Sequence, residues 1–188
     1  MDDYGKYYEY LKRRSRLGLL YRRWWLYPRL CKYLSGKVLD IGCGVGDMLA
    51  YRDNTIGVDV NPHTIKWCKS QGYIAEHMEE NNLPFSDDSF DSILLDNVLE
   101  HILSPEHLLG EINRVLSLKG ILLIGVPGKK GYEADPDHKV FYNKDSLNDL
   151  LANVGFVPRT SFYMPLAVKA LDSRLSQFCL YGVFERSQ

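Results

Sequence analysis

The sequence is most constrained by a short apolar stretch that runs directly into three closely spaced glycines. Residues 38–41 have the composition of a buried strand, and Gly42, Gly44 and Gly46 follow at alternate positions. Glycine lets the backbone turn tightly and bring its N–H groups close to a ligand. The pattern therefore predicts a strand, a turn that can bind a ligand, and then a helix, as in α/β sheets. A turn that uses glycine only for its geometry is the alternative.

A second apolar stretch ends in Asp59, nineteen residues after Asp40. In a parallel sheet both strand ends emerge at the same edge, where ligands bind. A carboxylate at this edge can accept hydrogen bonds from both hydroxyls of a ribose, so the two stretches together predict a nucleoside site. The glycine spacing differs from the G-x-G-x-x-G of dinucleotide-binding turns. In addition, Asp40 would disfavour a pyrophosphate and favour a sulfonium cation that carries an ammonium group.

Four segments of the sequence resemble the core of the class I methyltransferases that use S-adenosyl-L-methionine (SAM), in their small, methyltransferase type 11-like form. The segments are residues 38–46, 57–62, 83–93 and 98–105, in the order of the family's VLDIGCGxG, GVDxxP, LPFxDxSFDxI and VLEHxxxP. The resemblance covers roughly half of the chain. It implies an α/β, three-layer, Rossmann-like fold whose seven strands have the order 3-2-1-4-5-7-6, with the last strand antiparallel to the others.

The resemblance also implies which residues bind SAM, with S-adenosyl-L-homocysteine as the product. Asp59 would bind the ribose, and Asp96 and Asn97 would lie near the methionine end. Glu79 would flank the adenine, but the family usually has Asp at that position, and a solvated Glu in a turn is the alternative. The predicted cofactor-binding set is Asp40, Ile41, Gly42, Cys43, Gly44, Gly46, Asp59, Val60, Met78, Glu79, Asp96, Asn97, Val98 and His101.

Methyl transfer to a hydroxyl also needs a group that takes the proton of the acceptor. The candidates are His138, His101 and Glu100, and histidine is favoured because its unperturbed pKa lies near neutrality. Structural roles stay open for both histidines. His138 could cap a helix, and His101 could bridge the fourth strand and the helix that follows it.

The acceptor is indicated by a looser resemblance. His138 begins an H-x-x-F-Y element that ends with Phe141 and Tyr142. Methyltransferases associated with bacterial surface polysaccharides have a similar element and a similar N-terminal segment rich in Lys, Arg and Tyr. This resemblance implies O-methylation of a sugar in polysaccharide biosynthesis. Another small-molecule hydroxyl, carboxyl or amine is the alternative, and a SAM-binding protein without transfer activity is a further one.

A nicotinamide-dependent oxidoreductase is the rival enzyme class. Its short-chain type needs a Tyr-x-x-x-Lys pair beyond the middle of the sheet, but Tyr8/Lys12 and Tyr33/Lys37 both precede the glycine turn. Together with the glycine spacing, this position disfavours the oxidoreductase.

Residues 1–36 form a basic and aromatic lead-in that we expect to be helical. Residues 1–37 contain ten Lys or Arg, three Asp or Glu, seven tyrosines and two tryptophans. The lead-in is either an amphipathic helix of the core or a lid on the acceptor side, where it would suit an anionic acceptor. Peripheral contact with an anionic membrane through residues 6–34 is a further hypothesis. Residues 37–188 are expected to complete a single domain that spans residues 1–188.

Chain length, net charge and the lengths of the apolar runs limit the number of domains, the partners and the location that can be expected. The chain has 188 residues, enough for one domain, and a net charge of −1, so the part after the lead-in is acidic, which disfavours nucleic acid as a partner. No apolar run is long enough to span a bilayer, and no signal-peptide pattern opens the chain, so a cytoplasmic location is expected.

No metal site is expected, because no carboxylate set matches that of catechol-type methyltransferases and the cysteines form no C-x-x-C pair. The cysteines are Cys31, Cys43, Cys68 and Cys179.

Local patterns predict the remaining elements. Asn61 and Pro62 are typical of a helix start, as N-cap and first-turn proline, and Ser104 with Pro105 indicates another. The polar, glycine-rich stretch 127–138 is expected to be a loop that sets acceptor specificity. Further expectations are helices over residues 47–52, 143–153 and 165–175, and strands over residues 55–59, 73–76, 90–96, 121–126, 156–163 and 177–185.

Overall fold

The computed structural model describes residues 2–13, 15–166, 175 and 177–187. These residues form a seven-stranded sheet in the order β3-β2-β1-β4-β5-β7-β6. Strands β1 to β5 run parallel to one another, and β7 is antiparallel to both β5 and β6. The predicted fold and strand order are therefore confirmed. The strands are β1 (Val38–Ile41), β2 (Thr55–Asp59), β3 (Ala75–His77), β4 (Phe90–Asp96), β5 (Leu116–Pro127), β6 (Phe156–Met164) and β7 (Cys179–Arg186).

Seven α-helices accompany the sheet in the described part of the chain. They are α1 (Asp3–Lys12), α2 (Arg16–Tyr21), α3 (Tyr27–Leu30), α4 (Pro62–Ser70), α5 (Glu106–Val115), α6 (Lys129–Ala134) and α7 (Lys144–Asn153). A π-helical segment, Arg22–Leu26, joins α2 to α3. Pro28 lies in the first turn of α3, where its missing N–H leaves no helical hydrogen bond unmade. Asn61 caps α4 by accepting a hydrogen bond from the backbone N–H of His63, as predicted.

Both faces of the central strand β4 are buried. Ile93 and Leu95 belong to a hydrophobic cluster that includes Leu109 of α5, whereas Leu94 belongs to a second cluster that includes Leu30 of α3. Successive side chains of a strand point to opposite faces, so the sheet has a covering layer on each side. This burial explains the apolar run in β4, which is typical of a strand covered on both faces.

The end of the N-terminal lead-in contributes to the core. Leu26 and Leu30 are buried in the second cluster. The ring of Tyr33 stacks on Phe162 of β6 at a centroid distance of 5.2 Å, and Phe162 stacks on Tyr181 of β7 at 5.3 Å. Aromatic pairs of this kind stabilise a fold beyond the area that they bury. The last part of the lead-in is therefore packed against the C-terminal strands.

Several local predictions differ from the structure. Residues 47–52 form consecutive turns instead of a helix, because Gly44 and Gly46 have positive φ angles of 53° and 82° immediately before them. Helix α5 begins at Glu106 with Pro105 as its N-cap, and no side chain caps it, so the predicted serine cap is wrong. The expected loop over residues 127–138 contains α6. The expected helix over residues 165–175 lies mostly outside the described residues.

Candidate active site

The glycine turn after β1 passes close to the segment that follows β4. Gly42 has a φ of 73°, and a Cβ atom there would lie 2.4 Å from Cγ2 of Val98. The backbone N–H groups of Gly42 and Cys43 donate to the carbonyl oxygen of Val58 in β2, at 2.8 and 3.0 Å. Only glycine fits this position without strain, because the turn must be left-handed and closely packed at once.

Asp59, at the end of β2, holds the glycine turn in place. Its Oδ2 accepts a hydrogen bond from the backbone N–H of Gly44 at 2.9 Å, and its Oδ1 accepts one from the N–H of Asn61 at 2.8 Å. Burial raises the pKa of Asp59, and the two backbone N–H groups partly offset this effect. The carboxylate therefore fixes the turn as well as facing the edge where a ribose would bind.

Three carboxylates converge at the carboxyl edge of the sheet. Asp40 is buried in β1, and burial raises its pKa, as do the charges of Asp96 and Asp59 nearby. Mutual repulsion of these groups favours a cationic ligand between them. The edge is thus electrostatically suited to the sulfonium and ammonium groups of SAM.

Asp96, at the end of β4, is oriented by two donors. Its Oδ1 accepts hydrogen bonds from the hydroxyl of Tyr181 and from Nδ2 of Asn97, both at 2.9 Å. Asn97 has a φ of 55°, and its N–H donates to the carbonyl oxygen of Gly125 at 2.9 Å. A Cβ atom on Gly125 would lie 2.4 Å from Asp96 Oδ1 and 2.5 Å from the Tyr181 ring, so glycine makes room for this contact.

Two residues near this edge were not predicted as site residues. Tyr181 reaches Asp96 only because β7 is inserted beside β5, and nothing in the local sequence indicates that contact. Arg22 lies in the π-helical segment. Burial lowers its pKa, but Tyr27 and Asp96 raise it by more. A guanidinium beside Asp96 places a positive charge near the end of the edge where the methionine carboxylate of SAM is expected.

The other predicted cofactor residues differ in exposure. Met78 is buried, and its N–H donates to the carbonyl oxygen of Asp59 at 3.1 Å. Glu79 is exposed and forms an isolated bridge with Asn82. Ile41 and Cys43 are also buried, Val60 and Val98 are half-buried, and Asn97 is exposed.

The structure brings the three catalytic candidates together. Glu100 and His101 lie in the 3-10 turn after β4, and His138 lies in the segment after α6. His138 Nε2 is 3.7 Å from Glu100 Oε1, and the two histidine rings are 4.8 Å apart. The backbone N–H groups of Lys139 and Val140 donate to the carbonyl oxygen of Glu100, which holds the two segments together.

The hydrogen bonds of the two histidines define their tautomers. His138 Nδ1 is 3.0 Å from the carbonyl oxygen of Tyr132, and His101 Nδ1 is 3.3 Å from that of Asp137. A carbonyl oxygen only accepts hydrogen bonds, so each Nδ1 carries a proton and each neutral ring has a lone pair at Nε2. Burial and the neighbouring His138 lower the pKa of His101, which favours its neutral form.

Glu100 is an unusual member of this group. Its side chain is 1% exposed, and its two oxygens accept no hydrogen bond from any residue that the structure describes. Burial raises the pKa of Glu100 to about 8. One ligand atom from each of Glu100, His101 and His138 lies within 4.8 Å of the others, so the group could hold either a proton or a metal ion.

A separate cavity of about 340 Å³ lies behind the glycine turn, beside α1 and α4. Its lining includes Leu11, Lys12 and Trp67. Helix α1 is attached here, because Lys12 Nζ lies 5.2 Å from the centre of the Trp67 ring and Asn61 Nδ2 donates to the carbonyl oxygen of Tyr4 at 2.9 Å. The lead-in therefore reaches the end of β2 as well as the core.

The sheet order, the glycine turn and the acidic edge define a class I SAM-dependent methyltransferase fold. Residues 39–124 match the family described as a methyltransferase domain. A Mycobacterium tuberculosis protein named "Probable S-adenosylmethionine-dependent methyltransferase" is 30% identical over 145 residues, which are 70% of this chain and 53% of that protein. The matched domain and the similarity to this relative support a SAM-dependent methyltransferase domain, with SAM as its cofactor.

Two further proteins are similar to the chain. An uncharacterized protein of Methanocaldococcus jannaschii is 31% identical over 134 residues, which are 65% of each chain. The chain thus spans about half to two thirds of the length of these relatives. A methyltransferase solved with the Haloferax volcanii Trm112 methyltransferase activator superposes with a TM-score of 0.77 at 16% identity, covering 100% of this chain and 99% of that one. At 16% sequence identity, this structural similarity is evidence for the fold alone.

Proposed function

We propose that the protein transfers the methyl group of SAM to a hydroxyl of a sugar acceptor in surface polysaccharide biosynthesis. The observation that supports the proposal is that Glu100 and His101 follow shortly after Asp96 and Asn97, with His138 Nε2 3.7 Å from Glu100 Oε1. The group presents two imidazole lone pairs next to the expected methionine end of SAM. A proton acceptor at this place is what a hydroxyl acceptor requires.

In this proposal SAM binds along the carboxyl edge of the sheet. Asp59 accepts hydrogen bonds from the ribose, and the backbone between Gly42 and Gly46 faces the methionine part. Asp40 and Asp96 favour the positive charge of the cofactor, Asn97 lies with Asp96 near the methionine end, and Glu79 flanks the adenine. Met78 and Val60 offer apolar surface for the adenine.

The reaction is an in-line displacement. An electron pair of the acceptor oxygen forms the new C–O bond, the C–S bond breaks, and its electron pair neutralises the sulfonium. The acceptor proton passes to Nε2 of His138 in the metal-free protein. Orientation of donor and acceptor can contribute about 7–11 kcal/mol, and a base a further factor of about 10²–10⁴.

The surroundings of His138 suit a sugar. Tyr132 stacks on the His138 ring at 5.7 Å, and Phe141, which is exposed, packs against Tyr132 at 5.5 Å. Aromatic faces beside a polar group are a common way to bind the apolar face of a ring. Lys129 and Lys130 in α6 add positive charge nearby, as a nucleotide-linked or acidic sugar would need. A methyltransferase for another small hydroxyl, carboxyl or amine is the alternative, and a binding protein without transfer is a further one.

We also propose how the domain is organised, what the lead-in does and where the protein is located. Residues 1–188 act as one domain, in which the start of the lead-in covers the acceptor side. Within the described residues no helix is long and apolar enough to cross a membrane. Peripheral contact with an anionic membrane is supported by the exposure of Leu17, Leu20 and Trp24 among arginines. We propose a cytoplasmic location and do not expect nucleic acid as a partner.

The test is incubation of the purified protein with SAM and a panel of nucleotide sugars, glycan acceptors and small hydroxylated metabolites. Transfer releases S-adenosyl-L-homocysteine and adds about 14 Da, the mass of a CH₂ group, to the acceptor. A gain on a sugar supports the proposal. If only another metabolite gains this mass, the sugar proposal is wrong and the acceptor belongs to the class of that metabolite. SAM binding without turnover on any acceptor favours the binding protein.

A further inference from the structure

The group formed by Glu100, His101 and His138 contains only acceptors at its centre. Both imidazole Nδ1–H groups are directed to backbone carbonyls, so the two Nε2 atoms offer lone pairs. The carboxylate of Glu100 lies 3.7 Å from Nε2 of His138 and has no donor among the described residues. Buried polar groups are normally paired, and acceptors that face each other need a positive charge between them.

Backbone carbonyl groups hold the two histidine rings in the same way as in known metal sites. Metal-binding histidines commonly donate their other ring N–H to a carbonyl, which fixes the tautomer and the ring orientation. Here Tyr132 and Asp137 provide those carbonyls. The Tyr132 ring also lies nearly parallel to the His138 ring, at an interplanar angle of 15°. The two Nε2 atoms are thus oriented before any ion arrives.

We propose that Glu100, His101 and His138 bind one divalent transition-metal ion. Their ligand atoms lie within 4.8 Å of one another, whereas two ligands on opposite sides of such an ion are about 4.2 Å apart, so a small side-chain movement closes the site. Two imidazoles and one carboxylate select Zn²⁺, Mn²⁺, Fe²⁺ or Co²⁺ over Mg²⁺ and Ca²⁺. This proposal replaces the sequence prediction that the chain has no metal site.

Three protein ligands leave coordination positions for the acceptor. Asp135 Oδ2 lies 4.0 Å from His138 Nε2, on the more exposed side of the group.

The catalytic role of the ion rests on the proposed function, whereas its binding does not. An acceptor hydroxyl on the ion loses its proton to water, and the oxygen keeps the electron pair with which it attacks the methyl group. With the ion bound, His138 Nε2 is a ligand and no longer the base.

The first test measures binding without any reaction. Full-length protein is stripped with a chelator, dialysed, and titrated with Co²⁺ and Zn²⁺ by calorimetry, with the visible absorption of Co²⁺ as a second readout. We expect one ion per chain and a Co²⁺ spectrum typical of nitrogen and oxygen ligands. Binding of no ion, or binding without a defined stoichiometry, would overturn the proposal.

Matched variants assign the ion to this group. Glu100→Gln keeps the shape of the side chain, and His138→Ala removes one imidazole. We expect each to lower the affinity at least about 100-fold, since the loss of even a supporting residue commonly costs 10- to 100-fold. His107→Ala is the control, because His107 is exposed on α5. Circular dichroism and melting curves verify folding. Unchanged affinity in folded Glu100→Gln and His138→Ala would overturn the proposal.

Methyl transfer in stripped and reloaded protein separates this inference from the proposed function. Metal binding without transfer to any acceptor supports the site and contradicts the function. Transfer that is equal in stripped and reloaded protein, with no binding, overturns the site and retains His138 as the base. Transfer that falls at least tenfold on stripping and returns on reloading supports both. Binding with equal transfer in the two states supports the site and overturns its catalytic role.

Discussion

The carboxylate of Asp59 is hydrogen-bonded to the backbone N–H of Gly44 at 2.9 Å, so the end of β2 holds the glycine turn that follows β1. Asp59→Ala should therefore remove the ribose acceptor and loosen the turn. We expect SAM affinity to fall roughly 10- to 100-fold, since a hydrogen bond to a charged group is worth about 1.5–3 kcal/mol. Calorimetric titration with SAM measures the effect.

Asp53→Ala is the control for this variant, because Asp53 is an exposed aspartate in the turn before β2. Its affinity for SAM should stay within a factor of two, on the order expected of a surface change. Equal affinities of Asp59→Ala and the original protein would remove Asp59 from the cofactor site.

Gly42→Ala should destabilise the protein more than Gly72→Ala. Both glycines have positive φ angles, 73° and 81°, so both variants carry the left-handed backbone penalty of about 1–2 kcal/mol. A Cβ atom on Gly42 also meets Val98 at 2.4 Å, whereas nothing lies within 4 Å of one on Gly72. The difference, measured by urea unfolding, should be about 1–3 kcal/mol. Equal losses would show that the turn moves away from Val98 at no cost.

Leu30→Ala should lower the free energy of unfolding by about 2–5 kcal/mol, because Leu30 is fully buried in the cluster on the α3 side of the sheet. Leu17→Ala is the matched control, since Leu17 in α2 is 79% exposed and should change stability by less than about 0.5 kcal/mol. Chemical denaturation of both variants measures this. A small effect of Leu30→Ala would mean that the lead-in can separate from the core.

His138→Ala should lower kcat for methyl transfer by about 10²–10⁴-fold and leave SAM affinity nearly unchanged. The expectation is the same whether Nε2 takes a proton or binds an ion, because either role acts on the acceptor. His107→Ala should leave both quantities unchanged, as His107 is exposed and outside the group. Steady-state kinetics and SAM titration measure the two quantities. Equal loss of both would make His138 a structural residue.

The sheet could be predicted from the sequence because four motifs occur in the family's order and because Ile93, Leu94 and Leu95 form an apolar run in β4. Asp40, Asp59 and Asp96 could be placed at one edge for the same reason, since the ends of parallel strands meet there. The turns at residues 47–52 were missed because the φ angles of Gly44 and Gly46 depend on how the turn packs. Which residues bind SAM, and which act in catalysis, stays a prediction.

The contacts that sequence reasoning could not supply join segments far apart in the chain. Tyr181 donates to Asp96 across 85 positions. Glu100 and His138 meet because the segment after α6 folds back to the 3-10 turn, where Lys139 and Val140 bind the carbonyl of Glu100. Residue types do not reveal that the Glu100 carboxylate has no donor among the described residues, since this depends on which groups fold around it. They do not reveal the two tautomers either, since these depend on which carbonyls lie opposite each ring.

The position of β7 between β5 and β6 also determines when a growing chain can fold. Among the described strands β6 pairs with β7 only, and the Tyr33 ring stacks on Phe162, which stacks on Tyr181. A ribosome releases residue 33 long before residue 181, so the apolar cluster around Leu30 is completed only when β6 and β7 have been synthesised. Pairing over such separations is slow, and the waiting chain is open to aggregation. During synthesis, the apolar face of the N-terminal segment is therefore among the surfaces that are fully covered last.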